Sequence, residues 1–148
     1  MNRRTFLAML TALGAPGAVL AQGKAQQATL YKNPLCGCCQ DHAEYLRQHG
    51  YDVREIATHD LDGIRRKLRV PEQLYGCHTI LVGGYVVEGH VSAPLIDRLL
   101  RERPKIRGIS LPGMPPGSPG MTGPKLEPFV IYEIGDRVED QPRIYAVE

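Results

Sequence analysis

Apolar residues fall along this chain in short alternating runs and helical repeats, separated by sharp breaks. Thr29-Leu30-Tyr31 reads as a strand, and Asn33-Pro34 ends it. A helix follows to about His49, because Cys39, Ala43 and Leu46 recur at i, i+4 and i+7 and Gly50 can cap it. Tyr51–Ile56, with Val53 and Ile56 inside it, predicts a second strand. Asp60 is placed to cap a second helix, whose Leu61, Ile64 and Leu68 share a face before Val70-Pro71 stops it. Thr79–Val82 and Tyr85–Val87 flank Gly83-Gly84. That is a hairpin signal, since a type I′ turn needs positive φ at both central positions. Ser92 then caps a third helix with Leu95, Leu99, Ile96 and Leu100 as its buried pairs, ending before Pro104.

The predicted order is β-α-β-α-β-β-α, an α/β chain. A parallel βαβ half followed by an antiparallel hairpin and a helix is the thioredoxin-like order. Beyond Ile106 the pattern changes. Leu111–Pro124 holds five prolines and four glycines, too many for helix or sheet, with Met114 and Met121 inside it. Phe129–Ile134 and Ile144–Val147 predict a small C-terminal β extension packed on the domain edge.

The N-terminus reads as an export signal. Arg3-Arg4, one spacer and Phe6-Leu7 resemble a twin-arginine signal, and an uncharged apolar stretch runs from Phe6 to Leu20. Val19-Leu20-Ala21 places small residues for cleavage after about Ala21. The stretch is short for a membrane span and rich in Gly and Pro, so no stable insertion is expected after cleavage. The expected location is the periplasm. Removing residues 1–21 takes away Arg3 and Arg4, which leaves 16 Lys+Arg against 16 Asp+Glu. The whole-chain charge of +2 therefore belongs to the signal. No basic stripe interleaved with aromatics appears, which excludes a nucleic-acid partner.

The chemistry concentrates at sulfur. Cys36, Cys38 and Cys39 fall within four residues at the start of the first helix, and Cys77 precedes His78 at the head of the third strand. A helix N-terminus favours thiolate over thiol, taking a cysteine pKa from about 8.5 into the range of roughly 3.5–7.5. Four cysteines in an oxidising compartment suggest disulfides, but three in four residues cannot staple distant parts of a chain. Cys36 and Cys39 form a Cys-x-x-Cys at the first strand–helix junction, where the thioredoxin-like order keeps its redox pair. Thioredoxins have a cis-proline before the third strand, and here Cys77-His78 stands in its place. A fourth sulfur facing three makes a closed thiolate site suited to Cu(I), Zn(II) or an iron–sulfur cluster. Both readings remain open on residues alone.

His78 is a candidate ligand or an orienting group for Cys77. His90, after Gly89, and His42, one turn beyond Cys38, are candidate neighbours of the site, although a helical His42 reads first as exposed. His49 and His59 read as solvated. Met114 and Met121 are the only methionines outside the signal, and thioethers seven apart in an open loop suit soft-metal capture.

Several motifs in one order resemble a known family. They are Tyr31-x-x-Pro34-x-Cys36-Gly37-Cys38-Cys39, Cys77-His78-Thr79, Gly84-Tyr85-Val86-x-Glu88-Gly89-His90-Val91 and Pro112-Gly113-Met114-Pro115-x-Gly117-Ser118-Pro119-Gly120-Met121. Together, over roughly residues 28–121, they resemble the periplasmic CopG-like copper-resistance proteins, domain-of-unknown-function family 411. The resemblance implies a thioredoxin-like, metal-binding protein, often encoded with heavy-metal resistance genes. It implies Cys36, Cys38, Cys39 and Cys77 as the metal-binding sulfurs, with His78, His90, Met114 and Met121 near them.

The expected organisation is a signal peptide over 1–21, a flexible segment over 22–28, a thioredoxin-like metal-binding domain over 29–107, and the loop with C-terminal strands over 108–148. The expected function is Cu(I) sequestration or redox handling in copper resistance, with other periplasmic copper-handling proteins as partners. The alternatives are a thiol–disulfide oxidoreductase using Cys36/Cys39, and a zinc or iron–sulfur module. Whether the protein is an enzyme stays open.

Overall fold

Alternation along the central strands sends one set of apolar side chains to each face of a single sheet. Leu30, Ile80, Val87, Ile109 and Ile131 share one cluster with Cys39, Ala43, Leu46, Leu95, Ile96 and Leu99. Val86 and Ile134 join Val70 and Leu74 in a second cluster. A computed structural model describes residues 24–148, so the expected signal segment over 1–21 lies outside the described residues.

Seven strands and three helices follow in the order β1 (Gln26–Lys32), α1 (Gly37–Gln48), β2 (Tyr51–Ala57), α2 (Leu61–Lys67), β3 (Thr79–Val82), β4 (Tyr85–Glu88), α3 (Ala93–Glu102), β5 (Gly108–Ser110), β6 (Val130–Ile134) and β7 (Ile144–Val147). The sheet order is β2-β1-β3-β4-β5-β6-β7. β1 runs parallel to β2 and antiparallel to β3, and β4 runs parallel to β5. The fold is mixed α/β, as the pattern predicts. Gly83 and Gly84 turn the β3–β4 hairpin at φ of 55° and 87°, the mirror-turn conformation their glycines allow.

Four differences have local causes. β1 begins at Gln26 rather than Thr29, so residues 26–28 of the segment expected to be flexible belong to the sheet. The parallel ladder with β2 holds them, Ala28 is buried, and Gln27 Nε2 donates to Asp52 Oδ2 at 2.6 Å. Asp60 caps α2 through the Gly63 N–H at 3.0 Å, but the helix buries Gly63 and Arg65 while Leu61, Ile64 and Leu68 are only half-buried. Ser92 starts α3 without a side-chain cap, since its hydroxyl donates to Glu148 and the Ala93 N–H goes to the Tyr45 hydroxyl instead. Lastly, β5 is a strand the composition change after Ile106 conceals. It makes β6 and β7 a continuation of the sheet rather than a hairpin laid against its edge.

Candidate metal centre

The turn out of β1 is fixed by Asn33, whose side-chain oxygen accepts from the Leu35 N–H and whose carbonyl accepts from the Cys36 N–H. Cys36 is the N-cap of α1, and its sulfur makes no cap hydrogen bond. Cys77 arrives from the segment before β3. Its sulfur lies 3.3 Å from that of Cys36, 3.3 Å from that of Cys38 and 3.4 Å from that of Cys39. Cys36 and Cys38 are 3.6 Å apart, and Cys36 and Cys39 are joined in a disulfide with Cα atoms 5.4 Å apart. Cys38 and Cys77 are free thiols. Cys39 is buried and the other three are half-buried, so the cluster opens to solvent on one side.

Burial, then the adjoining Cys38, push the Cys77 thiol up to about 12, with Arg65 pulling the other way. Without metal, Cys77 therefore keeps its proton. A metal bound here displaces it, because only thiolate sulfur is a strong ligand.

Cys77 is held by a buried ion pair that the sequence pattern does not reveal. Glu88 of β4 is fully buried; its Oε1 accepts from Arg65 Nε at 2.8 Å and from the Gly76 N–H at 3.1 Å. Its Oε2 accepts from the Thr79 hydroxyl at 2.7 Å, and Arg65 also donates to the Gly76 carbonyl at 2.6 Å. Both sides of the Gly76 residue, directly before Cys77, are thus clamped. Burial raises the Glu88 carboxyl above the ordinary range, while Arg65, Thr79 and the Gly76 N–H oppose that shift. Gly76 also has no room for a side chain, since a Cβ would lie 2.5 Å from the Gly89 Cα.

The histidines differ most from expectation. His42 is not exposed; it is fully buried, as are His78 and His90. Their three rings form a nearly equilateral triangle with centroids 4.8, 4.8 and 5.0 Å apart. His42 Nδ1 lies 2.7 Å from His78 Nε2. The other His42 nitrogen donates to the Val91 carbonyl at 3.0 Å, and His90 Nδ1 donates to the Pro119 carbonyl at 2.7 Å. His78 Nδ1 and His90 Nε2 are buried with no hydrogen-bond partner. Burial, and then the neighbouring His90, lower His42 to about 3; burial is also the main cause of the downward shifts of His78 and His90. All three rings are neutral near pH 7. The burial of His42 follows from spacing, because positions 39, 42, 43 and 46 make one helical face. His49 and His59 are exposed, as expected.

The Pro/Gly/Met segment between β5 and β6 holds no helix or strand and covers this region. Gly76 and Gly113, the residues directly before Cys77 and Met114, form an isolated parallel bridge. Met114 is 56% exposed and Met121 is half-buried. Gly120 presses on α1 so closely that a Cβ there would lie 2.5 Å from the His42 backbone nitrogen.

Two donor groups therefore stand at the strand–helix junction: the four cysteine sulfurs, and the nitrogens of His42, His78 and His90. Thiolates and imidazoles in such groups suit copper, zinc or iron–sulfur chemistry. Fold and donors together define an α/β metal-binding protein with a cysteine cluster.

Residues 74–121 match the family model described as "Protein of unknown function, DUF411". Two solved structures are similar. One, "Copper resistance protein copG- Form 2", is 32% identical with a TM-score of 0.76, over 83% of this chain and 98% of that one. The other, "Copper resistance protein copG- Form 1", is 32% identical with a TM-score of 0.74, over 82% and 96%. A comparison with curated proteins gives no significant match. The chain belongs to the CopG-like copper-resistance family.

Proposed function

We propose that this protein binds copper as Cu(I) through Cys36, Cys38, Cys39 and Cys77 and so contributes to copper resistance. The observation that carries the reading is the position of the Cys77 sulfur, within 3.4 Å of each of the other three. Thiolate sulfur is soft, bridges cuprous ions readily and prefers Cu(I) to harder ions. Met114, one residue past the Gly113–Gly76 bridge, and Met121 add thioether donors on the covering loop.

The disulfide supports a redox component. Two electrons and two protons open Cys36–Cys39 to two thiols, completing the four-sulfur set. In the reverse direction, two Cu(II) ions take one electron each from the two thiols, giving two Cu(I), the disulfide and two protons. The same bond favours the second reading, a thiol–disulfide oxidoreductase with half-buried Cys36 as nucleophile and buried Cys39 as resolving thiol.

The sheet order β2-β1-β3-β4, with β1 parallel to β2 and antiparallel to β3, supports a thioredoxin-like domain over 29–107 with the 108–148 segment added to it. The Arg3-Arg4 signal and the cysteine chemistry support a periplasmic location with cleavage near Ala21. Among the described residues, no helix is long and apolar enough to cross a membrane. X-ray absorption of the reduced, Cu(I)-loaded protein tests the reading. A first shell of sulfur supports it, and a shell of nitrogen or oxygen alone contradicts it.

A further inference from the structure

We infer that His42, His78 and His90 form a second metal site, built of nitrogen donors only, that takes divalent copper. The site goes beyond the cuprous sulfur cluster and uses none of its residues. Three separate segments build it: α1, the segment leading into β3 and the turn after β4.

Three observations converge. The donor nitrogens lie within 4.8 Å of one another, and all three side chains are fully buried. Two of the rings have their outer N–H pinned by a backbone carbonyl, His42 by Val91 and His90 by Pro119. A carbonyl only accepts, so the proton sits on the outer nitrogen; the inner lone pair of His90 is free, and that of His42 accepts from His78 Nε2, a hydrogen bond that a bound metal ion would replace. This is the arrangement that orients a metal-bound imidazole. Finally, His90 Nε2 and His78 Nδ1 have no partner at all. A buried, unsatisfied polar atom costs roughly as much as a lost hydrogen bond, and two in one triangle of rings need a common explanation.

Packing alone does not provide that explanation. Hydrogen bonds to Val91 and Pro119 would satisfy two buried N–H groups without any metal, but they leave His90 Nε2 and His78 Nδ1 stranded, which an apolar residue would avoid. The loop gives a reason for its own shape as well: Pro119 supplies one of the two carbonyls, and Gly120 sits against His42. Imidazole nitrogens are harder than thiolates and bind divalent first-row ions, Cu(II) most strongly. Sulfur and nitrogen donors thus lie side by side, linked through the Cys77–His78 peptide.

The test uses the chain with Cys38→Ser and Cys77→Ser, in which Cys36 and Cys39 remain bonded and no free thiol is left to bind or reduce copper. One equivalent of copper(II) sulfate is added. The expected results are one bound Cu(II) per chain, nitrogen splitting in its electron paramagnetic resonance spectrum, and broadening of the His42, His78 and His90 imidazole NMR signals. His90→Gln in the same background weakens binding by at least roughly 10-fold. Broadening confined to His49, His59 or the amino terminus overturns the inference, as do the absence of nitrogen splitting and an unchanged affinity in His90→Gln. Tight binding of zinc(II) with none of copper(II) overturns the choice of ion. If His90→Gln fails to fold, the spectra of the intact triad decide. Because no free thiol takes part, a failure here leaves the cuprous sulfur reading standing, and the reverse holds too.

Discussion

Arg65 and Glu88 meet in the interior, 23 residues apart in sequence, and hold the Gly76 N–H and carbonyl between them. The pair sets the backbone from which Cys77 reaches the other three sulfurs. Removing one partner leaves a buried charge uncompensated, which costs about 3–5 kcal/mol. Arg65→Met is therefore expected to lower unfolding stability by that amount in urea. It is also expected to loosen Cys77, seen as faster hydrogen exchange at Gly76 and Cys77.

Reactivity at Cys77 follows from its surroundings. Burial and Cys38 push its thiol up to about 12, so at pH 7 the thiolate fraction is on the order of 10⁻⁵. In metal-free protein with the disulfide intact, iodoacetamide is expected to leave Cys77 unlabelled while it labels the unfolded chain fully. Mass spectrometry of the labelled peptides checks this. Labelling at the rate of an unfolded cysteine contradicts it.

Acid is expected to destabilise the metal-free protein through the three imidazoles. His42 is lowered from 6.5 to about 3, and His78 and His90 are also lowered. Above 6.5 both folded and unfolded states hold these rings neutral. Below 6.5 the unfolded chain takes up protons that the folded one refuses, so stability falls as pH drops from about 6.5 toward 3. Arg65 adds to the shift at His78, Asp41 and the Pro119 carbonyl oppose it at His90, and the raised Glu88 carboxyl works in the opposite sense. Urea midpoints measured from pH 7 to pH 5 should decline, and His42→Gln should flatten the decline.

The covering loop is expected to tolerate no side chain at Gly120. Its φ is +79°, and a Cβ would lie 2.5 Å from the His42 backbone nitrogen. Gly120→Ala is expected to cost about 1–3 kcal/mol. It should also raise hydrogen exchange around Pro119–Met121, because the loop must lift from α1.

Much of this arrangement was legible in residue pattern. The helices, the hairpin and the Cys36–Cys39 cluster announce themselves by local spacing, which depends on residues a few positions apart. The approach of Cys77 to that cluster followed from element order. Arg65 and Glu88 stayed hidden because each reads as an ordinary surface charge until its partner is known. Glu88 belongs to a four-residue strand buried at every position, where alternation gives no warning. β5 is three residues long and starts in a glycine, too short to carry a pattern. His42 was available in principle, since it shares the face of Cys39, Ala43 and Leu46. Its polarity suggested solvent, and only the nearby His78 and His90 explain why it turns inward.

The most direct test of the four-sulfur account is a competition titration of fully reduced protein with Cu(I), run on wild type beside Cys77→Ser. Wild type is expected to bind Cu(I) with a thiolate-to-copper absorption in the near ultraviolet, and Cys77→Ser to lose both stoichiometry and affinity. Equal stoichiometry and affinity in the two proteins would contradict it.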